Sequence, residues 1–309
     1  MENNTYTTSL YIDAPLEAVR SYLTDGMNLN EYTLFSRMRE RVDANTWLGT
    51  ASGYQGGLYY HCRHREVGRL EVVEWHCGTE LGKYYHVYPM LLIRPSYFDA
   101  SSSEQGTYYH WISFVDPARR TPMIAQGLPV VHRSEARSLK ANLERRRGLR
   151  EPSKAALELA PHTIYVDAPI ELATTFLAER ANVTRWSFMM RAEGRTLVDA
   201  YDHPISVEFA SHDLDAYRVL EMTTTYVELG IHVRTPFVLI PAAYAFAQPK
   251  ATGFILHRVS AWPTSGVRVG KASVDEYDTE AINAKRVIEG EAGNLAAYAR
   301  GCSYGPAAP

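Results

Sequence analysis

What this sequence has little of narrows its chemistry first. Only three cysteines, Cys62, Cys77 and Cys302, occur in 309 residues, far apart and without C-x-x-C spacing. That pattern excludes a disulfide framework and a thiolate metal site, and leaves them as small buried hydrophobes. Long apolar runs are missing too: Phe237 to Ala247 is interrupted by Pro241 and falls short of the ~20 residues of a membrane helix. Met1-Glu2-Asn3-Asn4 carries no positive n-region or apolar h-region, so a soluble, cytoplasmic protein is expected. No charge of one sign dominates either: there are 18 basic against 16 acidic residues up to Arg150 and 14 against 19 after it. Neither half has the basic surface that tracks nucleic-acid phosphates. H-E-x-x-H, P-loop and G-x-G-x-x-G motifs do not occur, which removes the commonest metal, nucleotide and dinucleotide sites.

With 46% hydrophobic residues, the chain has the composition of an ordinary folded protein, and its length suits two domains of ~150 residues. An internal repeat supports that division. Leu10–Glu17 (LYIDAPLE) returns as Ile164–Glu171 (IYVDAPIE), 154 residues later, and at the same offset Leu23 meets Leu177, Tyr32 meets Trp186 and Arg37 meets Arg191. A unit this large is a duplicated domain rather than a solenoid repeat.

Both copies open with an alternating strand that Asp-Ala-Pro stops. Proline suits a first helical turn and the aspartate before it can cap the free amides, predicting short helices over Leu16 to Thr24 and Ile170 to Glu179. Strands rich in Tyr, Val and Trp follow around Leu58–His64, Arg69–Cys77, Lys83–Ile93 and Thr107–Val115, an antiparallel sheet by connection length. A helix over about Val130 to Arg147 closes copy one. In copy two Tyr277, Ala281, Ala284, Ile288, Ala292, Leu295 and Ala299 keep the spacing of an amphipathic helix. The expected architecture is α+β: helix-grip domains at 1–148 and 162–309, each a curved antiparallel sheet wrapped around its long C-terminal helix, joined by a linker at 149–161 that has prolines near its ends.

The strand ending in Ile/Val-Asp-Ala-Pro, the helix directly after it, Thr184-Arg185-Trp186 in the next turn, and Ser134 to Lys140 of the closing helix resemble the polyketide cyclase/aromatase branch of the START and Bet v 1-like superfamily. Two tandem copies resemble its di-domain aromatase/cyclases. The resemblance implies a deep pocket in each domain that folds a reactive chain and promotes ring closure with loss of water, without metal or cofactor. Its implied partner is a small polyketide or aromatic substrate, such as a ketone-bearing indole. Copy one departs from the pattern, with Asn30-Glu31-Tyr32-Thr33 in place of an Arg-Trp-Pro-like turn, which points away from a standard polyketide.

Between Tyr54 and Trp111 lie nine of the 21 tyrosines and five of the 11 histidines. Tyrosines favour strands for ordinary reasons and histidines on an outer face are merely solvated, but an imidazole can move a proton either way near neutral pH, as aldol closure and dehydration require. Alternation places Tyr84, His86 and Tyr88 on one face and Tyr108 with His110 on one face of the next strand, without saying which face is inward. Glu74 and His76 also share a face, where a solvated ion pair is the commoner outcome. The candidate catalytic residues are therefore His86, His110, Glu74 and His64, and the candidate substrate contacts are Tyr60, Tyr84, Tyr88, Tyr108, Trp75 and Trp111. His61 and His64 point to opposite sides of a strand and make no metal site. Gly301–Gly305 fits G-x-S-x-G without the strand before it that a nucleophile elbow needs. Copy two, with blander strands, reads as a packing and dimerisation partner. The competing function is a carrier for an apolar ligand, whose cavity would be lined almost wholly by Leu, Ile, Val and Phe.

Overall fold

The structure, a computed structural model, describes residues 4–263 apart from 53–54, 85, 99–101, 103, 116–120, 167–168, 172–175, 178–181, 188–189, 200–201 and 247–249. The expected closing helix of copy two, Cys302 and Gly301–Gly305 lie outside the described residues. Copy one runs β1 (Thr5–Ile12), α1 (Leu16–Thr24), a 3-10 turn, α2 (Leu29–Tyr32), β2 (Ser36–Arg41), β3 (Thr46–Ala51), β4 (Leu58–Val67), β5 (Leu70–Gly78), β6 (His86–Ile93), α3 (Pro95–Phe98), β7 (Thr107–Phe114) and α4 (Pro122–Arg146). Copy two repeats the order with β8 (Leu157–Val166), α5 (Val183–Trp186), β9 (Met190–Glu193), β10 (Thr196–Asp199), β11 (Pro204–Leu214), β12 (Tyr217–Tyr226), β13 (Ile231–Pro241), α6 (Ala242–Ala245) and β14 (Phe254–Pro263). Each copy forms one antiparallel sheet of seven strands, ordered β1-β7-β6-β5-β4-β3-β2 and β8-β14-β13-β12-β11-β10-β9. Two antiparallel sheets built to one plan bear out the tandem α+β reading. Strand β8 begins at Leu157, inside the tract read as linker.

Pro15, with no N–H to contribute, ends β1 and is the N-cap of α1, but no side chain caps that helix. The expected cap from Asp13 does not form, because its carboxylate instead takes the Arg147 guanidinium at 2.8 Å. That pair ties the start of the copy to its closing helix. Glu144 does the same from the interior, accepting from the Asp13 N–H (2.9 Å) and from Lys140 Nζ (2.7 Å).

Alternation along the strands gives each sheet two apolar faces. The inner face of copy one presents Tyr60 and Cys62 of β4, Val73, Trp75 and Cys77 of β5, Met90 and Leu92 of β6, and Tyr109 and Trp111 of β7; Ala136, Leu139 and Leu143 of α4 and Val19 and Leu23 of α1 complete this core. The outer face carries Val72, Leu91, Ile93, Tyr108 and Ile112, and packs on the corresponding face of copy two, Val219, Val238, Ile240, Ile255 and Val259. A sheet buried on both sides explains why β5 and β7 are buried at every position, and why their sequence could not reveal the inward face. The β4–β5 hairpin needs a left-handed residue, supplied by Gly68 (φ 58°); the matching β11–β12 turn uses Asp215 (φ 45°), a residue type that tolerates this conformation.

Candidate functional site

The inner face of copy one is where side chains with chemistry converge. Trp75 lies at 5.4 Å from Trp47 between ring centroids, and Tyr88 meets Trp111 edge-on at 6.4 Å. Over this aromatic floor α4 brings His132, whose ring stacks on Trp111 at 4.0 Å and whose Nδ1 is 3.2 Å from Ser113 Oγ. Three residues on, Glu135 accepts the Leu34 N–H at 2.6 Å. Spacings of three and four put His132, Glu135, Ala136 and Leu139 along one helical stripe. Burial lowers the His132 imidazole to about 4, so it is neutral at physiological pH. Burial raises the Glu135 carboxyl above its ordinary range, against the pull of the Leu34 and Phe35 amides and Arg37. Burial, reinforced by nearby Tyr109 and Glu135, also pushes the Tyr32 phenol well above its usual value. The Trp47, Trp75 and Trp111 indole nitrogens and the Tyr32 hydroxyl are buried in this core with no hydrogen-bond partner. An indole N–H can only donate, so three of these four groups call for an acceptor.

Of the residues singled out by sequence, Tyr60, Trp75, Tyr88 and Trp111 share this inner face. His64 lies at the far end of β4, its Nε2 at 2.7 Å from Glu71, which also holds Arg20. His86 opens β6 opposite Cys77. The other assignments need correction. Tyr108 and His110, read as pocket-facing, point to copy two, because their neighbours Tyr109 and Trp111 take the inward positions. Tyr84 precedes β6 rather than extending it, and stacks on His61 of the outer face at 5.3 Å. Glu74 is neither a solvated pair with His76 nor inward: both are buried on the outer face, 3.4 Å apart. Burial opposes ionisation of Glu74, but the His76 hydrogen bond and the Arg65 charge outweigh it and hold the carboxyl below its ordinary range.

His110 occupies the centre of the interface between the copies. Its Nε2 lies 2.7 Å from Nε2 of His257, Ser9 Oγ is 2.6 Å from His110 Nδ1, and Thr163 Oγ1 is 2.7 Å from His257 Nδ1. One imidazole must donate and the other accept across the Nε2 pair, so the two rings take opposite roles there and the hydroxyls complete the chain. Burial lowers the His110 imidazole to about 3. This network joins the domains and lies behind the β7 backbone from the inner face.

His132 and Glu135 were missed by sequence reading. The available signal was a histidine in register with Ala136, Leu139 and Leu143, a polar residue on the buried stripe of the closing helix. Among the described residues no group of three or more His, Cys, Asp or Glu side chains could hold a metal ion, and no helix is long and apolar enough to cross a membrane.

Comparison with known proteins places this architecture in a family. The model of the family described as Domain of unknown function (DUF8713) matches residues 1–152 and again 159–297. Because these matches span most of the chain, the protein belongs to that family, with one family domain in each copy. No curated protein matches. Among solved structures, the chain is similar to the di-domain ARO/CYC BexL from the BE-7585A biosynthetic pathway (14% identity, 98% of this chain and 99% of that one, TM-score 0.32). It is also similar to DynU16, a protein of the dynemicin biosynthetic locus (15%, 96% and 99%, TM-score 0.30). A START superfamily protein from Mycobacterium smegmatis matches over 46% of this chain and 98% of its own (8% identity, TM-score 0.31).

Proposed function

We propose that the first copy is a cyclase/aromatase that closes a ring on a carbonyl-bearing polyketide or aromatic precursor, using acid–base groups of the protein alone. The observation that carries this reading is the meeting of His132 and Glu135 on one helical stripe with the unpaired indole and phenol donors of Trp47, Trp75, Trp111 and Tyr32. Such donors suit a ligand with several carbonyl oxygens. In the proposed step the neutral His132 imidazole removes a proton from carbon beside a carbonyl, and the resulting enolate attacks a second carbonyl carbon. Glu135 supplies the proton to the new alkoxide. The His132 imidazolium then protonates that hydroxyl as it leaves as water, while the Glu135 carboxylate takes the remaining proton from the carbon beside it, which forms the ring double bond and returns both groups to their starting states. Tyr60 and Tyr88 share the same inner face and are assigned to substrate orientation. The site would act in the cytoplasm on a small molecule, without nucleic acid.

The test is a synthetic tri- or tetraketide thioester incubated with the full chain, with cyclised product measured by mass spectrometry. Product formation above the spontaneous rate supports the reading. Quenching of tryptophan fluorescence by a hydroxyanthraquinone, with no product from any thioester, would favour the second reading, a carrier. That alternative draws on copy two, whose inner face is Val207, Leu220, Met222, Phe237, Leu239 and Leu256.

A further inference from the structure

Strand β3 stops at Thr46, where it pairs with His61. After the Cys62 N–H reaches the Asn45 carbonyl at 2.8 Å, β4 runs on with no strand on that side among the described residues. Alternation turns the His64 N–H toward the opening. Beside this edge lies a groove of about 630 Å³ lined by Arg20, Thr24, Asn45, Cys62, Arg63, His64 and Arg65. Three arginines therefore line one groove at this edge, Arg20 from α1 and Arg63 and Arg65 from the outer-face side of β4.

The arginines are incompletely used. Arg20 engages Glu71 through Nη1, Arg63 engages Asp215 through Nη1, and Arg65 engages the same Asp215 oxygen through Nη2. Each guanidinium carries five N–H donors, so most of them have no protein acceptor among the described residues. Asp215 serves two arginines alone and its side chain is 64% exposed. Edge protection is the ordinary reason for charges on an unpaired strand, but the duplication provides an internal control. The closing hairpin pairs Val67↔Leu70 and Leu214↔Tyr217 put Ala210, Ser211 and His212 at the positions of Arg63, His64 and Arg65, and the repeat puts Thr174 at that of Arg20. The second copy builds the same hairpin with none of the three arginines, so the fold does not require them.

We propose that this groove is a binding site for an anionic group, a carboxylate or a phosphate, held by Arg20, Arg63 and Arg65 with the His64 N–H, and that Asp215 from the second copy competes for two of those arginines. Guanidinium forks match both oxyanions bidentately. The site is separate from the ring-closing reading and stands or falls without it.

Isothermal titration of the full chain with inorganic phosphate and, separately, with succinate tests it, using chloride at matched ionic strength as the reference. At least one of the two anions is expected to bind in preference to chloride, and which one does so identifies the group. Arg63→Gln/Arg65→Gln should weaken that binding about tenfold or more, the scale of losing charge-assisted hydrogen bonds. Asp215→Asn keeps a residue suited to the left-handed turn and should tighten binding, an outcome that misfolding cannot mimic. Equal affinity for all three anions, unchanged affinity in the double variant, or weaker binding in Asp215→Asn would each overturn the proposal.

Discussion

The two copies share an outside and differ inside. In the paired sheets the outer positions of copy one have counterparts 147 residues later, and several of these pairs are conservative: His110 with His257, Leu91 with Val238, Ile93 with Ile240, Glu74 with Glu221, although Tyr108 meets Ile255 and Arg63 meets Ala210. On the inner face the same registers set Tyr60 against Val207, Trp75 against Met222, Tyr88 against Thr235 and Tyr109 against Leu256, with Trp111 replaced by Arg258. The outer faces pack on each other, so a change on one side strains the other. The inner faces touch only their own domain and are free to diverge. One copy kept polar aromatic chemistry where the other became mostly apolar.

The sharpest way to break this contrast is to disarm the inner face of copy one. His132→Ala and Glu135→Gln should each lower turnover by 10²–10⁴-fold, the usual contribution of a positioned acid or base, with the circular-dichroism spectrum unchanged. Leu256→Ala, a purely apolar truncation in copy two, should leave turnover near normal even if it lowers the melting temperature. The reverse pattern would move the active pocket to the second copy.

The outer face predicts a smaller, symmetric effect. His110→Leu or His257→Leu leaves the partner imidazole buried with one bond missing, at about 1–3 kcal/mol each in denaturant unfolding. The double variant replaces both with apolar groups and should cost less than the two singles together, since they act on one bond. Strict additivity would mean that the Nε2 pair contributes no coupling.

Much of this contrast was readable in advance, and the unread part has a definite cause. The duplication, α1 and the strands β4 to β7 were legible because repeats and alternation are local patterns. Strands β2 and β3 were not, since Ser36–Arg41 is mostly charged and exposed and carries no apolar alternation. The inward face of β7 was unreadable for a different reason: with an apolar layer on each side, Tyr108 and Tyr109 are both buried, and only the second sheet distinguishes them. Hence Tyr60, Trp75, Tyr88 and Trp111 fell on the inner face while Tyr108 and His110 did not. His132 and Glu135 were not legible in the strand pattern because the inner site draws its titratable groups from the closing helix.

The smallest effect is a pH dependence that separates the two faces by one histidine each. His110 on the outer face and His132 on the inner face have folded values lowered by burial to about 3 and about 4, against about 6.5 in an unfolded chain. Between those limits the unfolded state binds more protons, so stability is full above pH 6.5 and is lost as pH falls toward the folded values. From pH 7 to 5.5 each histidine should remove roughly 1 kcal/mol. In that window Glu74 and Glu144, whose folded values are lowered, stay ionised in both states and add no slope, while Glu135, raised by burial, acts in the opposite sense. The titratable side chain in contact with His110 is His257 of β14; Tyr108 on β7 and Tyr165 on β8 belong to the same packed faces, and phenols do not titrate at these pH values. Unfolding free energies at pH 7 and 5.5 for the native chain, His110→Gln and His132→Gln isolate the two contributions. Each variant should show a shallower fall than the native chain by roughly 1 kcal/mol. An unchanged slope in His110→Gln would show that the interface histidine is already protonated or exposed to water in the folded chain.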